Sequence, residues 1–158
     1  MDIAAMLKPA NIRCEASAGS KKHALDLLSE VLAGAVAGPT AAEVLEGLTS
    51  RERLGPTGLG RAVAMPHARV PGIEAGAAAL LKLDEPVDFD SPDGEPVDLL
   101  FGVLLPDDTD DGADLGELAR RLADPELLAQ LRSADDPAVL RELLVKRLRV
   151  DTVVTGHS

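Results

Sequence analysis

The sequence contains no tryptophan, no tyrosine and only two phenylalanines, Phe89 and Phe101. A core built on such a chain is made of leucine, valine and alanine, and aromatic stacking on bases or sugar rings is nearly excluded as a binding mode. A single cysteine, Cys14, excludes an internal disulfide framework and a multi-cysteine zinc site. Next to Arg13 it reads as a small residue of a strand rather than a reactive thiol. Basic residues are few: 16 Lys and Arg against 27 Asp and Glu give a net charge of −11. With no Lys/Arg-rich run, neither a nucleic-acid footprint nor attraction to an anionic membrane is expected. No apolar run approaches the roughly 18 residues of a membrane span. The start, MDIAAMLKPA, lacks the basic and long apolar segments of a signal peptide, so the expected compartment is the cytoplasm, without membrane insertion.

What is present is enough for one folded domain. The chain has 158 residues, 46% of them apolar, and can bury a core without disulfides or metal. The reading places a domain over 1–150 and a tail over 151–158. Ser20 caps a helix running to about Gly38, with Ala24, Leu28, Val31 and Ala35 on one face. Thr40 and Glu43 form a capping box for a second helix that fades around Arg51 to Arg53. Ile12 to Ala16 suits an edge strand, and Ala62 to Met65 a short strand stopped by Pro66. Ala77 to Leu83 and Val97 to Leu105 read as buried strands, the second flanked by Pro96 and Pro106. The last third is helical. Asp124-Pro125 and Asp136-Pro137 each place an acidic cap before a proline and start helices Pro125 to Ser133 and Pro137 to about Arg147. Helices, strands and helices in that order imply an α/β sandwich around a mixed sheet.

Of the three histidines, His23 sits in the first helix beside Lys21 and Lys22, and His157 in the tail; both read as inert. His67 follows Pro66 at a strand end, where loops hold function on a rigid support. By itself a histidine in a loop is more often structural than chemical. Its surroundings add to it. The segment Arg51 to Arg61 combines glycines, the Thr57 hydroxyl and three arginines, the donors that suit a phosphoryl dianion. The plain alternative is a tight turn with solvated arginines. The segment is neither a dinucleotide fingerprint nor a P-loop. The acidic turns Asp107 to Gly112 and Asp88 to Glu95 fail the calcium-loop register, the first having Leu118 where a glutamate is needed. No metal site and no cofactor are expected, and a nucleophile elbow is missing.

Taken together, Arg51-Glu52, Thr57-Gly58-Leu59-Gly60 and Ala64-Met65-Pro66-His67 resemble the signature of the enzyme IIA domains of the fructose/mannitol class of the bacterial phosphotransferase system, most of all its nitrogen-regulatory branch. Lys21-Lys22, Pro86 to Asp90 and Pro96 to Phe101 agree, and the resemblance runs in order from about residue 3 to 148. It implies a sandwich with a mixed sheet of about five strands and helices on both faces. It implies that His67 accepts a phosphoryl group from a histidine phosphocarrier protein, with Arg51 as the active-site arginine and Thr57, Gly58, Gly60 and Pro66 as phosphate-binding or supporting positions. In the nitrogen-regulatory branch the phosphorylation state governs regulatory partners, such as potassium-transport systems or kinases. In sugar-specific members the group passes to a IIB component. Two positions depart from the pattern. Ala68 stands where glycine usually follows the histidine. A second histidine expected after the Val97–Leu105 strand is missing, Asp111 being the nearest equivalent. That departure bears on the transfer rate and leaves a third reading, a binding module that has lost phosphotransfer.

Overall fold

The computed structural model describes residues 1–108 and 112–149. A mixed sheet lies between two layers of helices. In chain order the elements are α1 (Ile3–Met6), β1 (Ile12–Ala16), α2 (Lys21–Gly34), α3 (Ala41–Leu54), β2 (Gly58–Gly60), β3 (Val63–Ala64), β4 (His67–Val70), β5 (Ala77–Val87), β6 (Val97–Pro106), α4 (Gly112–Leu122), α5 (Pro125–Ser133) and α6 (Pro137–Arg147).

The strand order is β1-β5-β6-β3-β2, with β4 also paired to β6. β1 is parallel to β5, β5 antiparallel to β6, β3 and β4 both parallel to β6, and β2 antiparallel to β3. The sheet therefore has six strands where about five are expected. The extra one arises from a break. Val63 pairs with Leu99, Ala64 with Leu100 and His67 with Val103, so β3 and β4 keep one register along β6 and occupy one row. Pro66 keeps its carbonyl in the ladder, accepting from Val103 N–H at 3.0 Å, but has no N–H to return. The strand lapses at 65–66 and resumes. His67 is accordingly the first residue of a strand, not the point where the chain leaves the sheet.

β5 and β6 are buried on both faces, which is why their sequences read as continuous apolar runs. Alternation still sorts them. Ala78, Leu80, Leu99, Phe101 and Val103 pack toward α1, α4, α5 and α6, whereas Ala79, Leu81, Leu100 and Leu104 pack toward α2 and α3. Gly102 lets α2 seat on the sheet: a Cβ there would lie 2.7 Å from Leu28 Cδ1. One cation is buried in the sheet. Lys82 Nζ donates to the Ala134 carbonyl at 2.5 Å and pairs with Asp135 at 3.2 Å.

The helix starts follow local chemistry. Ser20 Oγ accepts from His23 N–H, Thr40 and Glu43 form the capping box, and Asp124 and Asp136 cap α5 and α6. α2 ends at Gly34, four residues short of Gly38, which instead holds a φ of +119°. The expected tail at 151–158, with His157, lies outside the described residues, as does Asp111.

Candidate functional site

The break in the β3/β4 row shapes the site. Met65 is buried, and its N–H donates to the Thr57 carbonyl at 3.0 Å. Pro66 fixes φ at the next position. With the Met65 peptide held in this way, its carbonyl lies 2.9 Å from Nδ1 of the half-buried His67. A carbonyl only accepts, so this bond puts the proton on Nδ1. In the neutral ring it leaves Nε2 with a free lone pair.

The ring is held in that neutral form. Burial, above all, pushes the His67 pKa below its ordinary value. The Met65 hydrogen bond opposes this, the Arg51 charge adds to it, Glu52 opposes it and Arg69 adds to it. Arg51 reaches the site from the last turn of α3, where its Nη1 donates to the Gly55 carbonyl at 2.9 Å. Arg69 lies two residues beyond His67 on β4, on the same strand face. The positive charges of Arg51 and Arg69 are both felt at the His67 ring, an electrostatic setting that suits an incoming phosphoryl dianion.

The glycine turn packs against the end of α3 through Thr57. Thr57 spends both its donors on Glu52: its N–H lies 2.9 Å from Oε2 and its hydroxyl 2.5 Å from Oε1. Gly58 and Gly60 pair with Ala64 and Val63 in a hairpin. The hairpin turns through Arg61 and Ala62, both at positive φ (57° and 64°), the pattern of a type I′ turn. Arg61 N–H is taken by Asp93 Oδ2 at 2.9 Å. Both side-chain and main-chain donors of Thr57 are thus taken up by Glu52, while Gly58, Gly60 and Pro66 belong to the backbone that leads to Met65 and His67. Gly58 also accommodates Ser91, whose buried hydroxyl has no partner among the described residues; a Cβ at 58 would lie 2.3 Å from that oxygen.

Three contributors were not singled out in the sequence. The Met65 carbonyl and the Glu52 carboxylate act through contacts that spacing does not encode. Arg69 had a weak signal, its place two residues after His67 on one strand face. His23 is exposed near the start of α2, and Cys14, whose thiol pKa is raised by burial, lies on β1 at the opposite edge of the sheet from the β2 hairpin. Among the described residues no group of three or more His, Cys, Asp or Glu is placed to hold a metal ion. Nor is any described helix long and apolar enough to cross a membrane.

Comparison with known proteins bears on this geometry. Residues 5–147 match the family described as phosphoenolpyruvate-dependent sugar phosphotransferase system, EIIA 2. A nitrogen regulatory protein of Pseudomonas aeruginosa is 37% identical over 142 residues, covering 89% of this chain and 92% of its own. One from Bradyrhizobium diazoefficiens is 36% identical over 148 residues, covering 91% and 95%. The crystal structure of nitrogen regulatory protein IIA-Ntr from Neisseria meningitidis superposes with a TM-score of 0.83 at 33% identity, over 90% of this chain and 98% of that one.

Proposed function

The chain belongs to the EIIA 2 family of the phosphoenolpyruvate-dependent sugar phosphotransferase system, and on that premise we propose that it is a cytoplasmic nitrogen-regulatory phosphoryl carrier that accepts its phosphoryl group on Nε2 of His67. The donor is the phosphohistidine of a histidine phosphocarrier protein. One type-2 IIA domain over residues 1–150 carries the whole activity. The observation behind this reading is the 2.9 Å contact between His67 Nδ1 and the Met65 carbonyl, which leaves the lone pair of the neutral ring on Nε2.

Transfer asks the protein for position and charge more than for chemistry of its own. The Nε2 lone pair of His67 attacks phosphorus in line. The phosphorus–nitrogen bond of the donor breaks as the new bond forms, and the bonding pair returns to the donor ring. Nδ1 keeps its proton throughout, held against Met65. Arg51 and Arg69 place positive charge beside the equatorial oxygens, with Arg51 contributing a fixed fork of donors.

The product adds negative charge beside two arginines on an accessible face. That change alters which protein surface docks there, and so serves as a switch without a large movement. The names of the relatives favour regulation over sugar transport as the destination of the signal. The test is to incubate the protein with phosphoenolpyruvate, enzyme I and the phosphocarrier, and to omit each in turn. One phosphoryl group per chain, dependent on all three, supports the proposal. A chain that stays unmodified with a donor competent toward another IIA protein overturns it and leaves the binding module.

A further inference from the structure

A chain of contacts leads from α2 to the His67 ring. The Glu52 carboxylate is almost fully enclosed, with its side chain 7% exposed, in the last turn of α3. Lys21 Nζ, at the first position of α2, lies 2.8 Å from Oε2 and is itself placed by Asp90 at 3.5 Å and by the Phe89 ring beneath it. Both donors of the buried Thr57 end on the same carboxylate. The Thr57 carbonyl accepts from Met65 N–H, and the Met65 carbonyl accepts from His67 Nδ1–H.

We propose that Glu52 is a positioning residue for phosphoryl transfer, setting the orientation and tautomer of His67 through Thr57 and Met65. The inference rests on the carrier reading above and adds a residue that never touches the phosphoryl group. Three donors converge on one carboxylate: the Thr57 amide, the Thr57 hydroxyl and the Lys21 ammonium. Only a group with two accepting oxygens satisfies them all. Such a junction has few alternative arrangements, so the direction of the Thr57 carbonyl is fixed. Pro66 then removes the φ freedom through which a shift at Met65 would be absorbed before reaching the ring. At metal-binding histidines, removing the partner that holds the second ring nitrogen costs about 10- to 100-fold in metal affinity or activity, which sets the scale for a partner of this kind.

Glu52→Gln tests it. The amide keeps the shape but turns an NH2 toward one of the three donors. Two readouts are taken: the ring 15N shifts of His67 well above its pKa, and the steady-state kinetics of phosphorylation by the phosphocarrier. The expected result is a loss of the Nδ1–H tautomer preference and a drop in kcat of about tenfold, with KM for the phosphocarrier little changed. Thr57→Val deletes only the hydroxyl and supplies the same test should Glu52→Gln fold poorly. What Thr57→Val loses returns in Thr57→Ser. Folded Glu52→Gln or Thr57→Val protein with the wild-type tautomer and kcat overturns the proposal. The 15N measurement needs no phosphorylation, so a wild type that accepts no phosphoryl group refutes the carrier reading while the tautomer result still decides the role of Glu52.

Discussion

Nδ1 of His67 lies 2.9 Å from the carbonyl oxygen of Met65, two residues earlier in the chain and on the far side of a proline. The contact makes the two ring nitrogens inequivalent before any partner arrives. The adduct is therefore expected on Nε2 alone. Correlation of phosphorus with the ring nitrogens of the phosphorylated protein will show it. Phosphorus on Nδ1 requires the Met65 contact to break and contradicts this geometry.

Since burial, reinforced by Arg51 and Arg69, lowers the His67 pKa, the neutral nucleophile persists below the usual histidine range. The rate of phosphorylation is expected to fall on the acid side with an inflection under about 6.5, the ordinary histidine value. Stability follows the same sign. Between the folded and unfolded pKa values the unfolded chain binds more protons, so this contribution is complete above about 6.5 and is lost as the pH falls through the folded pKa. In urea melts His67→Gln should therefore gain stability relative to the wild type as the solution is made more acid. A ring that titrates above the ordinary value in the NMR spectrum contradicts both expectations.

Arg51 combines a structural bond to Gly55 with a charge that His67 feels. Lysine restores the charge but not the planar fork of donors. Arg51→Lys is expected to melt within a few degrees of the wild type and to accept phosphate at least about tenfold more slowly, the loss of one charge-assisted contact in a transition state. Stopped-time phosphorylation assays check it. An unchanged rate reduces Arg51 to a helix-end charge.

Gly102→Ala tests the packing of α2 on the sheet. The new methyl group meets Leu28 at 2.7 Å in a region where both residues are buried. Overpacking of this kind costs about 1–3 kcal/mol. Chemical denaturation is expected to show that loss with the fold retained. No measurable change would mean that α2 shifts freely on the sheet.

Much of the frame was legible because its signals are local. A cap depends on residues three apart, so Thr40 with Glu43, Asp124 before Pro125 and Asp136 before Pro137 announced their helices directly. The two central strands announced themselves by being apolar on both faces. The site was legible only in part. His67 and Arg51 stood out through the family signature, and the glycines and hydroxyl of the turn suggested a phosphate cradle, although both Thr57 donors end on Glu52. Whether Thr57 N–H faces a ligand or Glu52 depends on how the C-terminus of α3 meets the β2 hairpin, a contact between elements that no spacing states. Pro66 misled in another way. A proline inside an apolar run reads as a stop, yet the row continues past it because β6 supplies the register on the other side. The two-residue turn at Arg61 and Ala62 has no glycine or asparagine to mark it, so the hairpin was hidden as well.

The most direct measurement is intact mass after incubation with phosphoenolpyruvate, enzyme I and the phosphocarrier, for wild type, His67→Ala, His23→Ala and His157→Ala. The wild type and the two control variants are expected to gain one acid-labile, base-stable phosphoryl group. His67→Ala, folded by circular dichroism, is expected to gain none. A His67→Ala protein that still takes up the group, or a wild type that takes up none from a competent donor, contradicts the assignment of His67 as the acceptor.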